Sequence, residues 1–274
     1  MDQVIPPEQA GFRSGRNCTD QVLCLTNYIE NGFQLGLKTA AAFVDLTAAY
    51  DTVWKKGLLL KLIKVVPDLK IISLLNNMLS DRQFQVFLND MKSKTKRLNN
   101  GLPQGSVLSP LLYNLYTHDV PQSLSRKFMY ADDMAYAVQG SSWQDIEIKL
   151  EYDLDILFAY LKKWRLQPSL SKTEVCCFHL YNHEADRKLS ITVGDRELDH
   201  NFHPKYLGVV LDRSLTFKEH LNKTALKLQT RNNLIQKLTN TSWGAHADVL
   251  RTSALALVYS TFSCLAAKLS HSES

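Results

Sequence analysis

The sequence predicts an α+β fold, in which a body of interleaved strands and helices is followed by a tail of helices. Short apolar segments alternate with segments of helical periodicity up to about Asp212, and only helical periodicity follows that residue. The chain has 274 residues, of which 45% are hydrophobic and 22% are charged. A chain of this length and composition buries enough apolar surface to fold without disulfides or a structural metal.

Each predicted element rests on periodicity, on turn residues or on a residue that ends a helix. Pro67 ends one helix because proline cannot continue it, and Asn89 and Asp90 supply a polar hairpin turn. Apolar residues at steps of three and four predict the helix at 146–164. In chain order we predict a strand at 39–46, helices at 48–66 and 69–79, a hairpin of strands 83–88 and 93–98, a helix at 106–118, a hairpin of strands 127–130 and 134–138, a helix at 146–164, a strand at 173–178, a small hairpin of 191–193 and 196–198, a strand at 206–211, and helices at 217–238 and 247–269.

The composition excludes several classes of protein. A balance of 32 Lys and Arg against 27 Asp and Glu gives a net charge of +5, which permits a nucleic-acid partner without requiring one. The five cysteines have no paired spacing, so we expect free thiols in a reducing compartment. The N-terminus lacks the features of a signal peptide, and the apolar stretch 252–267 is too short to span a bilayer. We therefore interpret 252–267 as a buried helix and expect no membrane partner.

Three carboxylates are placed to meet. Asp45 lies at the end of an apolar strand, and Asp132 and Asp133 lie at the tip of an apolar hairpin. Carboxylates that converge repel each other unless a cation joins them, and hard oxygen ligands suit Mg²⁺ or Mn²⁺. Two such ions can clamp the attacking and leaving oxygens of a phosphoryl transfer. The alternative is a solvated turn at Asp132 and Asp133 and a helix cap at Asp45, and spacing alone leaves both interpretations open.

Longer motifs surround these carboxylates, and together they resemble the reverse transcriptase family. Three segments carry the resemblance: 43–51 (FVDLTAAYD), 101–110 (GLPQGSVLSP) and 130–133 (YADD). Three more agree with it: 8–16, which is similar to the fingers motif, 164–174, which is similar to the motif with the palm lysine, and 206–209, which is similar to the primer grip. Six motifs in order are far more specific than any one of them. The chain resembles the polymerases of jockey-type non-LTR retrotransposons from about Pro6 to about Asp212, with a weaker match beyond.

The resemblance implies a fold. It is the palm of a right-hand polymerase, a ferredoxin-like antiparallel sheet with helices, accompanied by partial fingers and a helical thumb-like tail. The implied boundaries are partial fingers at 1–38, a palm at 39–212 with a fingers-side insertion at about 67–100, and a thumb-like segment at 213–274.

The resemblance also implies an activity, RNA-directed DNA synthesis, and the residues that perform it. Asp45, Asp132 and Asp133 match the carboxylates that hold two Mg²⁺ (or Mn²⁺) ions, and Lys172 matches the lysine that protonates the pyrophosphate leaving group. A lone lysine is otherwise most often a solvated charge. The implied partners are an RNA template with a DNA primer, a dNTP, and other parts of the retroelement polyprotein or ribonucleoprotein. The implied location is intracellular, in the cytoplasm and the nucleus.

A nucleotide-binding set follows from the same match. Tyr50 matches the steric gate, whose ring would clash with a ribose 2′-OH, although an ordinary aromatic on a helix face is the alternative. We expect Asp51 to have a structural role such as a backbone hydrogen bond. The nucleotide-binding positions are Leu46, Tyr50, Gln104, Gly105 and Arg13.

A nucleic-acid-binding set lies nearer the C-terminus. Tyr206, Leu207 and Gly208 fall in the motif that is similar to the primer grip. Lys223, Lys227 and Arg231 recur every four residues and form a basic stripe on one side of a helix, where they could hold the phosphates of a duplex. The alternative for this stripe is an ordinary solvated face.

The chain also departs from the family. It begins a few residues before the fingers motif, so we expect an N-terminally truncated polymerase without the basic fingers hairpin that grips the triphosphate. Arg13 and Arg16 would replace that grip only in part. Two alternatives stay open: an inactive retroelement remnant that only binds nucleic acid, and a translated fragment that folds poorly.

Overall fold

The structure is a computed structural model that describes residues 4–239 and 244–260. Within these residues the helices are α1 (Cys18–Gln34), α2 (Ala49–Thr52), α3 (Lys55–Val65), α4 (Leu69–Leu79), α5 (Leu108–Tyr116), α6 (Trp143–Lys163), α7 (Lys218–Lys237) and α8 (Ala247–Ala254). The strands are β1 (Lys38–Val44), β2 (Arg82–Phe84), β3 (Phe87–Leu88), β4 (Met91–Lys92), β5 (Lys96–Leu98), β6 (Arg126–Tyr130), β7 (Asp133–Gly140), β8 (Glu174–Phe178), β9 (Thr192–Val193), β10 (Arg196–Glu197), β11 (Asp199–His200), β12 (Lys205–Tyr206) and β13 (Val209–Val210).

A five-stranded sheet with the order β11–β8–β1–β7–β6 organises the molecule. The central strand β1 runs antiparallel to both neighbours, β7 and β8, and β11 adds a parallel edge. Strand β1 is buried along nearly its whole length because helices and loops cover both faces of the sheet. The predicted α+β arrangement, an antiparallel sheet with helices, is confirmed.

The two faces of the sheet carry separate apolar clusters. Along β1, Ala40, Ala42 and Val44 belong to one cluster, and Ala41 and Phe43 belong to the other, as the alternation of a strand requires. Helix α6 packs on β1 and β7 over the first face, and α1 packs on β1 and β6 over the second. The apolar stripe that predicted α6 is buried: Ile146, Leu150, Leu154, Leu157 and Leu161.

The predicted helix 48–66 is wrong as a single element, because the structure divides it into α2 and α3. Val53 and Trp54 are extended, with ψ angles of 118° and 108°. The carbonyl of Tyr50 accepts a hydrogen bond from the Leu102 amide, and the carbonyl of Val53 accepts one from the Gly101 amide, at 2.8 Å each. A tertiary loop therefore takes the carbonyls that a continuous helix would use.

The predicted strand 206–211 is also wrong. The chain forms a tight hairpin there, in which β12 pairs with β13 around Leu207 and Gly208. Both turn residues have positive φ angles, 45° and 85°, which a continuous strand does not allow. The hairpin carries Tyr206 and Val209 into the apolar cluster beneath the sheet.

The C-terminal helix is described only in part. The structure shows α8 and a π-helical turn at Leu255–Tyr259, and the rest of the predicted helix 247–269 lies outside the described residues. None of the described residues from 252 to 260 is buried, so the expectation of a buried helix is wrong for this part. Among the described helices, none combines the length and the apolar character that crossing a membrane would require.

The junction between the sheet and α7 is organised by Asp212. Its carboxylate accepts backbone hydrogen bonds from Ser214 at 3.3 Å, Thr216 at 3.0 Å and Phe217 at 2.7 Å. These bonds hold a turn in which Leu215 and Phe217 both have positive φ angles. The direction in which α7 leaves the sheet therefore depends on one carboxylate.

The stability of the folded chain should depend on pH through His200 in the edge strand β11. Burial lowers the pKa of His200 to about 4, and the nearby charge of Lys188 adds to the effect. The Leu189 amide donates to Nδ1 of His200 at 3.1 Å, which requires a neutral ring. The unfolded chain binds this proton near pH 6.5 and the folded chain only near pH 4, so stability falls as the pH is lowered through that window.

We expect the wild-type chain to lose about 1–3 kcal/mol more unfolding free energy between pH 7 and pH 4.5 than the His200→Asn variant does. Asparagine keeps an acceptor for the Leu189 amide but does not titrate. Urea unfolding at both pH values measures the difference. Equal losses in the two proteins would show that His200 does not couple folding to protons.

Candidate functional site

The three predicted carboxylates lie at one end of the central strand pair. The β1–β7 register pairs Val44 with Met134, so the next pair outward is Asp45 and Asp133. The β6–β7 register pairs Tyr130 with Asp133, which leaves Ala131 and Asp132 as the two-residue turn. Asp133 is thus the first residue of β7 rather than part of the turn. Two segments almost ninety positions apart in the sequence deliver these acids to the same edge.

The carboxylates influence one another electrostatically. Burial raises the pKa of Asp133 to about 6, and the charges of Asp132 and Asp45 raise it as well. Burial also raises the pKa of Asp132, and the charge of Asp45 contributes to the rise. The charge of Asp45 therefore disfavours the ionised form of Asp132 and Asp133, and the charge of Asp132 disfavours that of Asp133.

The donor set fits a hard divalent cation. Oδ2 of Asp45 is buried without a hydrogen-bond partner among the described residues, and the raised pKa values are those that a nearby cation would lower. In the parts of the chain that the structure describes, no three His, Cys, Asp or Glu side chains are gathered closely enough to hold an ion as they stand. The three carboxylates are suitable ligands that lie at the same edge of the sheet without forming a closed ligand set.

Lys172 lies beside Asp45. Its Nζ is 3.6 Å from Oδ2 of Asp45, and the lysine side chain is largely exposed. The loop that carries Lys172 is fixed to the end of β1 by two backbone hydrogen bonds. The Thr47 amide donates to the Gln167 carbonyl at 2.7 Å, and the Ser169 amide donates to the Asp45 carbonyl at 2.8 Å. The structure therefore brings the predicted proton donor to the carboxylate cluster.

Tyr50 projects from α2 toward the same cluster. Its ring stacks on Tyr113, with the ring centroids 4.8 Å apart. Burial raises the pKa of Tyr50 to about 12, and the charge of Asp132 adds to this shift. The Tyr50 hydroxyl is buried and has no hydrogen-bond partner among the described residues. The predicted gate is therefore a half-buried ring held against a second aromatic ring.

Gln104 is held by Asp51. Nε2 of Gln104 lies 3.0 Å from both carboxylate oxygens of Asp51. Asp51 has the expected structural role, but its partner is a side chain 53 positions away rather than a backbone group. A Cβ on Gly101 would lie 2.8 Å from the Asp51 carbonyl oxygen, so only glycine lets the loop approach α2 this closely.

Gly105 and Arg82 complete this side of the site. Gly105 has a φ of +82° and open space around it, so its backbone conformation is the reason for glycine there. Arg82, which belongs to none of the predicted motifs, donates to the carbonyls of Asn100 and Gly101. A cavity of about 460 Å³ lies between Arg82, Asp51 and Gln104. Arg82 lies 19 positions before Gly101, so no local pattern in the sequence connects it to this motif.

Three predicted site residues have side chains that make structural contacts. Leu46 is buried in the core, so its side chain is not accessible to a ligand. Tyr206 is buried and donates its hydroxyl hydrogen to the Phe128 carbonyl at 3.1 Å. Arg13 donates to the carbonyls of Pro6 at 3.1 Å and Gln9 at 3.2 Å. Sequence motifs do not distinguish a residue that touches a ligand from one that supports such a residue.

The predicted nucleic-acid-binding residues divide into two groups. Gly208 is exposed at the tip of the β12–β13 hairpin, next to the half-buried Leu207. Lys223 and Lys227 are exposed on α7, and Lys223 pairs with Glu219 at 3.2 Å. Arg231 instead donates to the Leu257 carbonyl at 2.6 Å and joins α7 to the C-terminal helix. The stripe is therefore a pair of exposed lysines, with an arginine engaged inside the tail.

Removing one of the three neighbouring negative charges should stabilise the metal-free protein. We expect Asp132→Asn to raise the metal-free unfolding free energy by about 0.5–1 kcal/mol, because a neutral amide of the same shape removes one repelling charge. We also expect Mn²⁺ to raise the melting temperature of the wild-type chain and not that of the variant. Asp195→Asn, on the exposed β9–β10 turn, is the matched control. A destabilised Asp132→Asn, or one whose melting temperature rises with Mn²⁺ like the wild type, contradicts the assignment.

Known proteins resemble this chain in sequence. A family model described as reverse transcriptase (RNA-dependent DNA polymerase) matches residues 1–211. The probable RNA-directed DNA polymerase from transposon BS of Drosophila melanogaster is 33% identical over 87% of this chain and 27% of its own length. The RNA-directed DNA polymerase from mobile element jockey of Drosophila funebris is 28% identical over 84% of this chain and 26% of its own length.

The fold also has counterparts among solved structures. Apo telomerase from Candida tropicalis superimposes with a TM-score of 0.52 at 13% identity, over 96% of this chain and 47% of that one, which is a likeness of fold. The chain spans about a quarter of the length of the curated relatives it matches. Because the family model covers most of the chain and includes every predicted carboxylate, the chain belongs to the reverse transcriptase family and is a jockey-like domain within it.

Proposed function

We propose that this chain carries out RNA-templated DNA synthesis, in which a primer 3′-OH attacks the α-phosphate of a dNTP and pyrophosphate leaves. The observation that supports it most is the meeting of Asp45, Asp132 and Asp133 at one end of the sheet. The similar proteins are named as RNA-directed DNA polymerases. This chain spans about a quarter of their length, so its own activity has to be tested separately.

The proposal assigns divalent ions to the three carboxylates. Asp45 and Asp132 would hold two ions, either Mg²⁺ or Mn²⁺, and Asp133 would assist. When bound, such ions neutralise developing charge and lower the pKa of the primer hydroxyl. Lys172, placed beside Asp45, would give the proton on its Nζ to the departing pyrophosphate oxygen. A proton at that oxygen makes pyrophosphate a better leaving group.

Selection of the sugar is assigned to Tyr50. Its position near Asp132 and its stacking on Tyr113 support a ring that is rigidly placed where a 2′-OH would project. Gln104 would contact the incoming nucleotide and its template base, since Asp51 fixes its amide. The backbones of Leu46 and Gly105 would line the same space, and Arg13 would act through the segment it holds.

Binding of the RNA template and DNA primer is assigned to the thumb-like tail and the β12–β13 hairpin. Exposed Lys223 and Lys227 are suited to phosphates, and the Leu207–Gly208 tip is suited to the primer. Arg231 would support this surface through its bond to the tail. We also propose that the chain acts with other parts of a retroelement polyprotein or ribonucleoprotein, inside cells, in the cytoplasm and the nucleus.

Primer extension tests the activity. We expect incorporation of dNTPs on an RNA template with Mg²⁺ or Mn²⁺, and at least about a 100-fold loss in Asp132→Asn, because a metal ligand supplies several kcal/mol. Asp195→Asn is again the matched control and should retain the wild-type rate.

Equal incorporation by the wild-type chain and Asp132→Asn would reject the assignment. Salt-sensitive duplex binding without incorporation by the wild-type chain would support the remnant that only binds nucleic acid. In that case charge reversal at Lys223 and Lys227 should weaken binding and reduce its salt dependence.

Replacing Tyr50 tests the sugar selection. We expect Tyr50→Val to lower the preference for dNTPs over NTPs by about tenfold or more, because the bulk that clashes with the 2′-OH is gone. Tyr50→Phe keeps the ring and should keep the preference. Single-nucleotide incorporation kinetics with dATP and ATP measure it. An unchanged preference in Tyr50→Val would remove Tyr50 from this role.

A further inference from the structure

The N-terminal segment 8–11 runs along the edge strand β6, beside the turn that carries Asp132. The Ala10 amide donates to the Met129 carbonyl at 2.8 Å, and the Met129 amide donates to the Glu8 carbonyl at 3.1 Å. Gln9 and Met129 form an isolated parallel bridge. The segment therefore extends the sheet by a few residues at the end where the carboxylates lie.

Gln9 makes three hydrogen bonds around that turn, and it is only 1% exposed. Its Oε1 accepts from the Ala131 amide at 2.8 Å and from the Gly11 amide at 2.9 Å. Its Nε2 donates to the Ala131 carbonyl at 3.0 Å. One side chain thus binds both backbone groups of the residue that precedes Asp132.

Ala131 needs such support because its backbone is strained. Its φ is +57°, a conformation that costs a residue with a Cβ about 1 kcal/mol or more. Holding its N–H and its C=O fixes the peptide planes on both sides of Ala131. Those two planes set the direction in which the Cα–Cβ bond of Asp132 leaves the turn.

Two further residues brace Gln9 against the turn. A Cβ on Gly11 would lie 2.3 Å from the Ala131 nitrogen, so only glycine fits at this approach. The buried Asn114 donates from Nδ2 to the Gly11 carbonyl at 2.8 Å. We call Gln9, Gly11 and Asn114 the Gln9 clamp.

We propose that Gln9 is a positioning residue for Asp132: through the Gln9 clamp it holds the strained Ala131 turn in the one geometry that aims the Asp132 carboxylate at the shared ions. This inference rests on the proposed function, and it gives segment 8–16 a task beyond nucleotide contact. Arg13 supports the same task, since it donates to the Gln9 carbonyl.

The test replaces Gln9 with methionine, which has a similar length and makes none of the three hydrogen bonds. The matched control is Gln139→Met, at the far end of β7, where Nε2 of Gln139 donates to the Tyr28 carbonyl at 2.6 Å. Both variants remove a side-chain bond to the backbone, and only one of them lies at the turn. Gln9→Glu keeps an oxygen acceptor and serves as the conservative variant.

Three measurements are compared across these proteins: hydrogen exchange at 130–133, Mn²⁺ affinity by calorimetry in the presence of primer–template, and primer–template affinity. We expect Gln9→Met to speed exchange at 130–133 about tenfold and to weaken Mn²⁺ binding about tenfold, with primer–template affinity unchanged within about twofold. Gln139→Met should leave exchange at 130–133 and Mn²⁺ binding as they are. Gln9→Glu should shift both in the same direction by less, and it decides the question if Gln9→Met does not fold.

Wild-type exchange and Mn²⁺ affinity in the foldable Gln9 variant would overturn the proposal, as would equal changes in Gln139→Met. Failure of the proposed function reads differently. If the wild-type chain incorporates no nucleotide, hydrogen exchange and Mn²⁺ calorimetry still decide whether Gln9 positions Asp132.

Discussion

The antiparallel pairing of β1 with β7 is the constraint on which the candidate site depends. It fixes which residues stand opposite each other, and it brings Asp45 beside Asp133 at the end of the ladder. A slip of one residue would turn Asp45 to the other face of the sheet, because side chains alternate along a strand. The alanines at 40–42 are all fully buried, and their small size lets helix α6 and the opposite cluster press closely on the strand. Packing on both faces therefore enforces the register that the chemistry requires.

This placement has an electrostatic cost. Three acids and the tyrosines at 50 and 113 share a partly buried region, and both tyrosine hydroxyls lack partners among the described residues. Burial and the neighbouring Asp132 raise the pKa of each phenol, so the tyrosines stay neutral beside the acids. Stability would be greater with fewer charges, and proteins commonly accept such a loss at functional sites. A bound cation would make ionisation of each carboxylate stabilising rather than destabilising.

Much of the palm follows from the sequence, because its signals are local. The apolar run of β1, the three- and four-residue steps of α6 and the turn at Asn89 each contain their own evidence. The division of 48–66 into two helices does not, since the carbonyls of Tyr50 and Val53 are taken by amides about fifty positions away. The burial of Tyr206 also depends on distant contacts. From the sequence alone its aromatic ring is equally consistent with a ligand contact and with a core residue. Order of motifs identifies the site, and tertiary contacts decide which side chains face it.

The Gln9 clamp is the feature of the candidate site that is hardest to predict from the sequence. Its hydrogen bonds join residues 122 positions apart, and no periodicity or motif spacing in the sequence predicts them. In the motif at 8–16 we predict a functional role for Arg13 and none for Gln9. In the structure Arg13 donates to the Gln9 carbonyl and holds that segment in place. Reading such a motif requires knowing which backbone groups a buried amide satisfies, since buried polar groups nearly always find partners.

We propose that Asp45 and Asp132, which lie at the same end of the β1–β7 pair, share divalent ions. Anomalous X-ray diffraction from crystals of the chain with Mn²⁺, primer–template and a non-hydrolysable dNTP tests it most directly. We expect two manganese peaks, each at about 2.1 Å from carboxylate oxygens of Asp45 or Asp132. Manganese bound elsewhere, with both carboxylates lacking an ion in a complex that holds the nucleotide, would contradict it.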